Sequence, residues 1–109
     1  MFDYKKEFRY FDFEIPPLPE GFVDMSWHNN ICPSFERELN ETQIITLWVN
    51  YKNVKRREIK TKKFFITIET KDEMDHVLIY ETDSWKVINN QINKLFKKEK
   101  QKCMILENK

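Results

Sequence analysis

Asp24, Ser26 and His28 are the three side-chain types of a nucleophilic triad, brought together within five residues. On an extended chain, alternate side chains share a face about 7 Å apart. That is too far for the hydrogen bond by which a base activates a nucleophile. The expected use of these residues is therefore local, as hydrogen-bond partners of their own loop backbone. His28 and Cys32 form an H-x-x-x-C pair, and His76 and Cys103 could join it only through the fold. A structural zinc site wants two close pairs of ligands, so the expectation is no metal, with Cys32 a small buried apolar group. Asp72, Asp75 and Glu81 could in principle hold a divalent ion for a nuclease, but no motif connects them. No nucleophile, base and oxyanion donor combine, so the chain is expected not to be an enzyme and to need no cofactor.

The strongest chemical signal is a run of bases. Residues 52–63 hold Lys52, Lys55, Arg56, Arg57, Lys60, Lys62 and Lys63 against the single acid Glu58. Such side chains neutralise phosphate, and the neighbouring Tyr51, Phe64 and Phe65 could stack on unpaired bases. An acidic protein surface or an RNA-bound enzyme would satisfy the same charges. The plain alternative is a solvated loop that protects a strand edge. These seven residues are the candidate binding site.

Composition limits what else is open. The 109 residues suit one domain, residues 1–109, large enough to fold without disulfides or metals. There is one glycine, Gly21, and no alanine. A phosphate-binding loop, a dinucleotide fingerprint and a nucleophile elbow each need several glycines, so all three are excluded. Hydrophobic residues at 40% and aromatic residues at 15% mark a folded chain. A net charge of +1 makes the whole molecule neither a general polyanion binder nor an acidic mimic of nucleic acid. No apolar run is long enough to span a membrane, and the first residues do not read as a signal peptide. Cys32 and Cys103 are accordingly expected as reduced thiols in a bacterial cytoplasm. Abundant Lys, Asn, Ile and Phe, with no Ala, point to an AT-rich genome.

The elements that must carry these residues read as a small α+β domain. Strands are expected over Phe8–Ile15, Gln43–Tyr51 and Phe64–Thr70 from a two-residue alternation, and over His76–Thr82, which the charged turn of residues 71–75 joins to the strand before it. Residues 16–42 are expected to be an irregular aromatic segment pinned by Phe22, Trp27 and Phe35, and to cover Trp48, whose alternative is exposure as an interface anchor. Residues 52–63 are either a flexible loop or two strand ends that project beyond the sheet. After the capping side chains of Thr82, Asp83 and Ser84, the apolar residues Trp85, Ile88, Ile92, Leu95 and Phe96 recur at helical spacing. The expected architecture is an antiparallel sheet of three to four strands packed on one C-terminal helix, with residues 97–109 a frayed basic tail.

The order Leu18-Pro19-Glu20-Gly21-Phe22, Ser26-Trp27-His28-Asn29-Asn30, Cys32-Pro33-Ser34-Phe35 and Glu81-Thr82-Asp83-Ser84-Trp85 resembles small phage and prophage proteins. Size and the lack of a catalytic constellation also resemble the anti-CRISPR proteins, although the basic segment departs from their acidic DNA mimics. The resemblance implies a phage or mobile-element accessory protein that inhibits a host defence complex such as a CRISPR effector. Its partner would be a host protein or ribonucleoprotein, including its RNA, with no membrane involved. A stand-alone nucleic-acid-binding module is the competing expectation.

Overall fold

The two-residue alternations and the helical stripe face one another across a single core. The computed structural model describes residues 2–73 and 75–107, with side chains through Lys102. Five strands form one antiparallel meander: β1 (Val23–Asp24), β2 (Ser34–Glu38), β3 (Gln43–Val49), β4 (Phe64–Thr70) and β5 (Val77–Thr82), paired in chain order. A short helix, α1 (Tyr4–Glu7), precedes them, and a long one, α2 (Trp85–Glu107), follows. The fold is α+β, with one strand more than the sequence predicts.

In β3 and β4 the register places Leu47 beside Ile66 and Val49 beside Phe64. Together with Ile45 they are buried on one face. Ile88 and Ile92 of α2 close over that face, and Trp85, Leu95 and Phe96 pack at its margin. Ser84 starts the helix: its Oγ accepts from the Val87 N–H at 3.2 Å and its carbonyl from the Ile88 N–H at 3.0 Å. Both satisfy donors that the first turn would otherwise leave free. The helix runs on to Glu107, so the expected fraying from residue 97 is not seen within the described residues. Cys103 lies beyond the last described side chain.

Two expectations about the N-terminal half are corrected. Phe8–Ile15 is not a strand. Its alternation is real, since Phe11 and Phe13 pack on the core and Ile15 is buried within it. The segment turns over residues 8–10 and bends at residues 12–13, however, and belongs to no strand. Phe11 stacks near Tyr51 at 5.1 Å, Phe13 meets Phe64 at 6.3 Å, and Phe22 meets Phe96 of α2 at 6.3 Å. Conversely, residues 16–42 contain two of the five strands. β2 reads as polar, Ser-Phe-Glu-Arg-Glu, because only Phe35 faces the core, while Arg37 lays its guanidinium 3.8 Å from the Phe96 ring. Of the three expected pins, Phe22 and Phe35 are buried but Trp27 is 43% exposed, edge-on to Phe2. Gly21 has φ +83°, and a Cβ there would stand 2.8 Å from Arg37 Nε, so this turn does require its glycine.

Candidate functional site: a fastened basic loop and an aromatic groove

The basic segment is neither a flexible loop nor a strand extension. It is a compact loop around one 3-10 turn, Val54–Arg56, fastened from three sides. Arg57 reaches inward: its Nε donates to the Tyr51 carbonyl at 2.6 Å and its Nη1 to the Thr61 carbonyl at 2.8 Å. Asn50, buried at the end of β3, donates from Nδ2 to Thr61 Oγ1 at 2.9 Å. Asp12, from the N-terminal segment, accepts the backbone N–H groups of Lys52 and Asn53 at 2.9 and 2.8 Å. Burial works against ionisation of Asp12, but these N–H donors outweigh it and hold its carboxyl below the usual range. At the far end, Glu81 accepts the Lys62 N–H and Asp83 the Lys63 N–H, at 3.0 and 2.9 Å.

Six of the seven predicted residues are thereby brought to one open cleft of about 770 Å³. Lys52, Lys55, Arg57, Lys60, Lys62 and Lys63 line it, with Glu81 and Asp83 at its β5 side. Arg56 is the exception, lying over the Tyr51 ring at 4.5 Å. The six are not equivalent. Arg57 holds the loop together, and Lys63 rests its ammonium 5.1 Å from Phe13 and 5.2 Å from Phe64. Lys52, Lys55, Lys60 and Lys62 stand exposed. The flanking aromatics do not offer free faces as expected: Phe64 and Phe65 are buried, and Tyr51 is sandwiched by Phe11 and Arg56.

An aromatic surface exists nearby, on the sheet face opposite α2. Trp48 is half-buried there, stacked parallel on Phe65 at 5.9 Å, with His76 edge-on at 5.5 Å. Its Nε1 donates to Thr67 Oγ1 at 2.8 Å. Asn29, Asn30, Ile31, Ile59 and Leu78 complete a groove of about 420 Å³. Residues 29–31 do come from the segment expected to cover Trp48, but they form a wall of the groove and do not close it. Thr61 lines both the groove and the basic cleft, so the two cavities are neighbours.

The remaining candidates are used structurally. Asp24 accepts the Tyr4 and Ser26 N–H groups, Ser26 Oγ accepts the Ser34 N–H at 3.1 Å, and His28 Nδ1 meets Glu7 at 3.0 Å. That contact with His28 holds the Glu7 carboxyl below its ordinary range. The triad is not assembled. Cys32 is a free, fully buried thiol, and its burial pushes its pKa strongly upward. Asp72 and Asp75 flank the β4–β5 turn, whereas Glu81 sits at the opposite end of β5, about 20 Å away by strand rise. Among the described residues no group of three His, Cys, Asp or Glu side chains is placed to hold a metal ion. No described helix is long and apolar enough to cross a membrane.

In comparisons with protein-family models, curated proteins and solved structures, nothing matches this chain.

Proposed function

We propose that the protein acts by binding, and that its basic cleft takes the phosphate backbone of a single-stranded RNA. The setting suggested by the resemblance is a host defence ribonucleoprotein such as a CRISPR effector, which a phage or mobile-element protein would inhibit by engaging its RNA. One observation carries the reading: the exposed lysines of residues 52–63 converge on one cleft along a loop already fixed by Arg57, Asn50 and Asp12. A fixed loop loses little conformational freedom on binding, so its charges contribute more of their attraction to affinity. The neighbouring Trp48 groove supplies what unpaired bases need, an aromatic face with amide groups at its rim.

A short single-stranded RNA should bind with an affinity that falls log-linearly with salt. If four lysines contact phosphate, the slope is about −2.8, since each contact on a single strand contributes roughly −0.7. Lys55→Glu with Lys60→Glu should flatten that slope while the fold persists by circular dichroism. Arg57 is left intact, because removing it would loosen the loop itself. Salt-independent binding, or binding unchanged by the double reversal, rules out the cleft. Capture from host lysate with nuclease treatment then separates two settings. A partner retained after nuclease supports the inhibitor, and one lost with the RNA supports a stand-alone nucleic-acid-binding module.

A further inference from the structure

The polar groups on the floor of the Trp48 groove already have partners. Trp48 Nε1 donates to Thr67 Oγ1 at 2.8 Å, Thr67 Oγ1 meets His76 Nδ1 at 3.2 Å, and His76 Nε2 meets Glu69 at 3.3 Å. Thr61 Oγ1 accepts from Asn50 Nδ2 and donates to the Lys62 carbonyl, both at 2.9 Å. Ile31, Ile59, Phe65 and Leu78 are apolar, and no Asp, Glu, Lys or Arg lines the groove. What remains is the pair of exposed side-chain amides of Asn29 and Asn30, which have no hydrogen-bond partner among the described residues. Such a site takes an uncharged planar ring that stacks on an aromatic face and carries a donor beside an acceptor at its edge. A side-chain amide offers the reciprocal pair. A nucleobase has all of these properties.

We propose, resting on the reading of the basic cleft as an RNA phosphate site, that the groove reads one base of that strand and prefers an unpaired adenine. Residues 59–62 join the two cavities. Ile59 and Thr61 line the groove, while Lys60, Thr61 and Lys62 line the cleft. Asn50 Nδ2 fastens this shared wall, at 2.9 Å to Thr61 Oγ1 and 3.4 Å to the Ile59 carbonyl. A nucleotide whose phosphate meets Lys60 can therefore pass its base across Thr61 into the groove. Chemistry then ranks the bases. A purine gives Trp48 a larger face to stack on than a pyrimidine does. Adenine sets an acceptor beside a donor on both edges away from its sugar, N1 with N6 and N7 with N6, so an asparagine amide can pair with either. Guanine presents two acceptors, O6 and N7, on the corresponding edge, and these call for the Arg or Lys that the groove lacks.

Adenosine, which has no phosphate, tests the groove without the cleft. In nitrogen–proton correlation NMR spectra of the full chain, millimolar adenosine should shift the Trp48 indole N–H and the Asn29 and Asn30 side-chain amide signals saturably. Uridine and cytidine at the same concentration should shift them less. A second measurement compares an all-uridine single strand with the same strand carrying one central adenosine. The adenosine strand should bind at least about fivefold tighter, the low end for one well-placed amide pair. Its salt slope should be the same, because the base adds no phosphate contact. Asn29→Ala/Asn30→Ala, with the fold checked by circular dichroism, should bring the adenosine strand down to the affinity of the all-uridine one. No shift with adenosine, equal shifts with all three nucleosides, or a preference that survives the double substitution overturns the proposal. Salt-dependent strand binding with no preference for adenosine removes the groove and leaves the cleft standing. Adenosine shifts without salt-dependent strand binding remove the cleft and leave the groove.

Discussion

Glu36 sits on β2 directly across from Thr46, on the sheet face away from α2, with Glu69 and His76 nearby. Burial, and then the charge of Glu69, raise its pKa above the ordinary glutamate range, with His76 opposing. The folded state therefore holds the Glu36 proton more tightly than the unfolded chain does. Stability from this group is fully present below about pH 4.5 and is lost as pH rises through the folded value. At neutral pH the ionised carboxylate is a liability. Glu36→Gln should thus raise the thermal midpoint at pH 7, and the gain should disappear in acid below the unfolded pKa. A midpoint unchanged at pH 7 would mean that solvent screens Glu36 fully. Cys32 illustrates the opposite kind of residue: buried and with its pKa pushed up, it stays a neutral thiol and serves as packing.

At the scale of elements, α2 is the piece most dependent on a single large side chain. Trp85, half-buried at its first turn, meets Phe64 at 5.1 Å with rings at 64°. Trp85→Ala should cost about 2–4 kcal/mol in urea unfolding, near the low end for large aromatic truncations because part of the ring already faces solvent. A variant as stable as the parent would remove Trp85 from the core. The elements also show which signals a sequence carries. β3, β4 and α2 were legible because their apolar periods run for three repeats or more, and β5 because Val77 to Tyr80 is an unbroken apolar run bounded by charge. β2 was not, since one buried Phe35 flanked by charges has no visible period, and its pairing with β3 decides its conformation. Phe8–Ile15 misled for a complementary reason: Phe11, Phe13 and Ile15 all pack on the core from an irregular segment, so apolar spacing alone imitates a strand. The charge of residues 52–63 was plain from composition, but its anchoring was not. Asp12 and Asn50 lie far from or outside the run, and no local pattern links them to it. The Trp48 groove was missed because its lining comes from five separate stretches of chain.

At the scale of the molecule, a net charge near zero conceals a strong separation. Acidic residues gather at the β4–β5 turn, while the bases of residues 52–63 gather at the opposite end of the sheet, where Glu81 and Asp83 lie against them. Lys62, whose ammonium lies 3.9 Å from Asp83, is expected to contribute less to RNA binding than Lys55 or Lys60, so Lys62→Gln should change the salt slope less than Lys60→Gln does in the same titration.

The meander has a consequence for how the chain is made. Every strand pairs with its immediate predecessor, so the sheet can assemble hairpin by hairpin as synthesis proceeds, with local contacts that favour rapid folding. The helix that covers Ile45, Leu47 and Ile66 comes after all five strands in chain order. Until it emerges from the ribosome, the apolar sheet face that Ile88 and Ile92 cover is bare, and the growing chain is at its most vulnerable to aggregation. The N-terminal aromatic segment is already present at that stage and lies on the same face. Its Phe11, Phe13 and Ile15 can therefore cover part of the core before α2 is made.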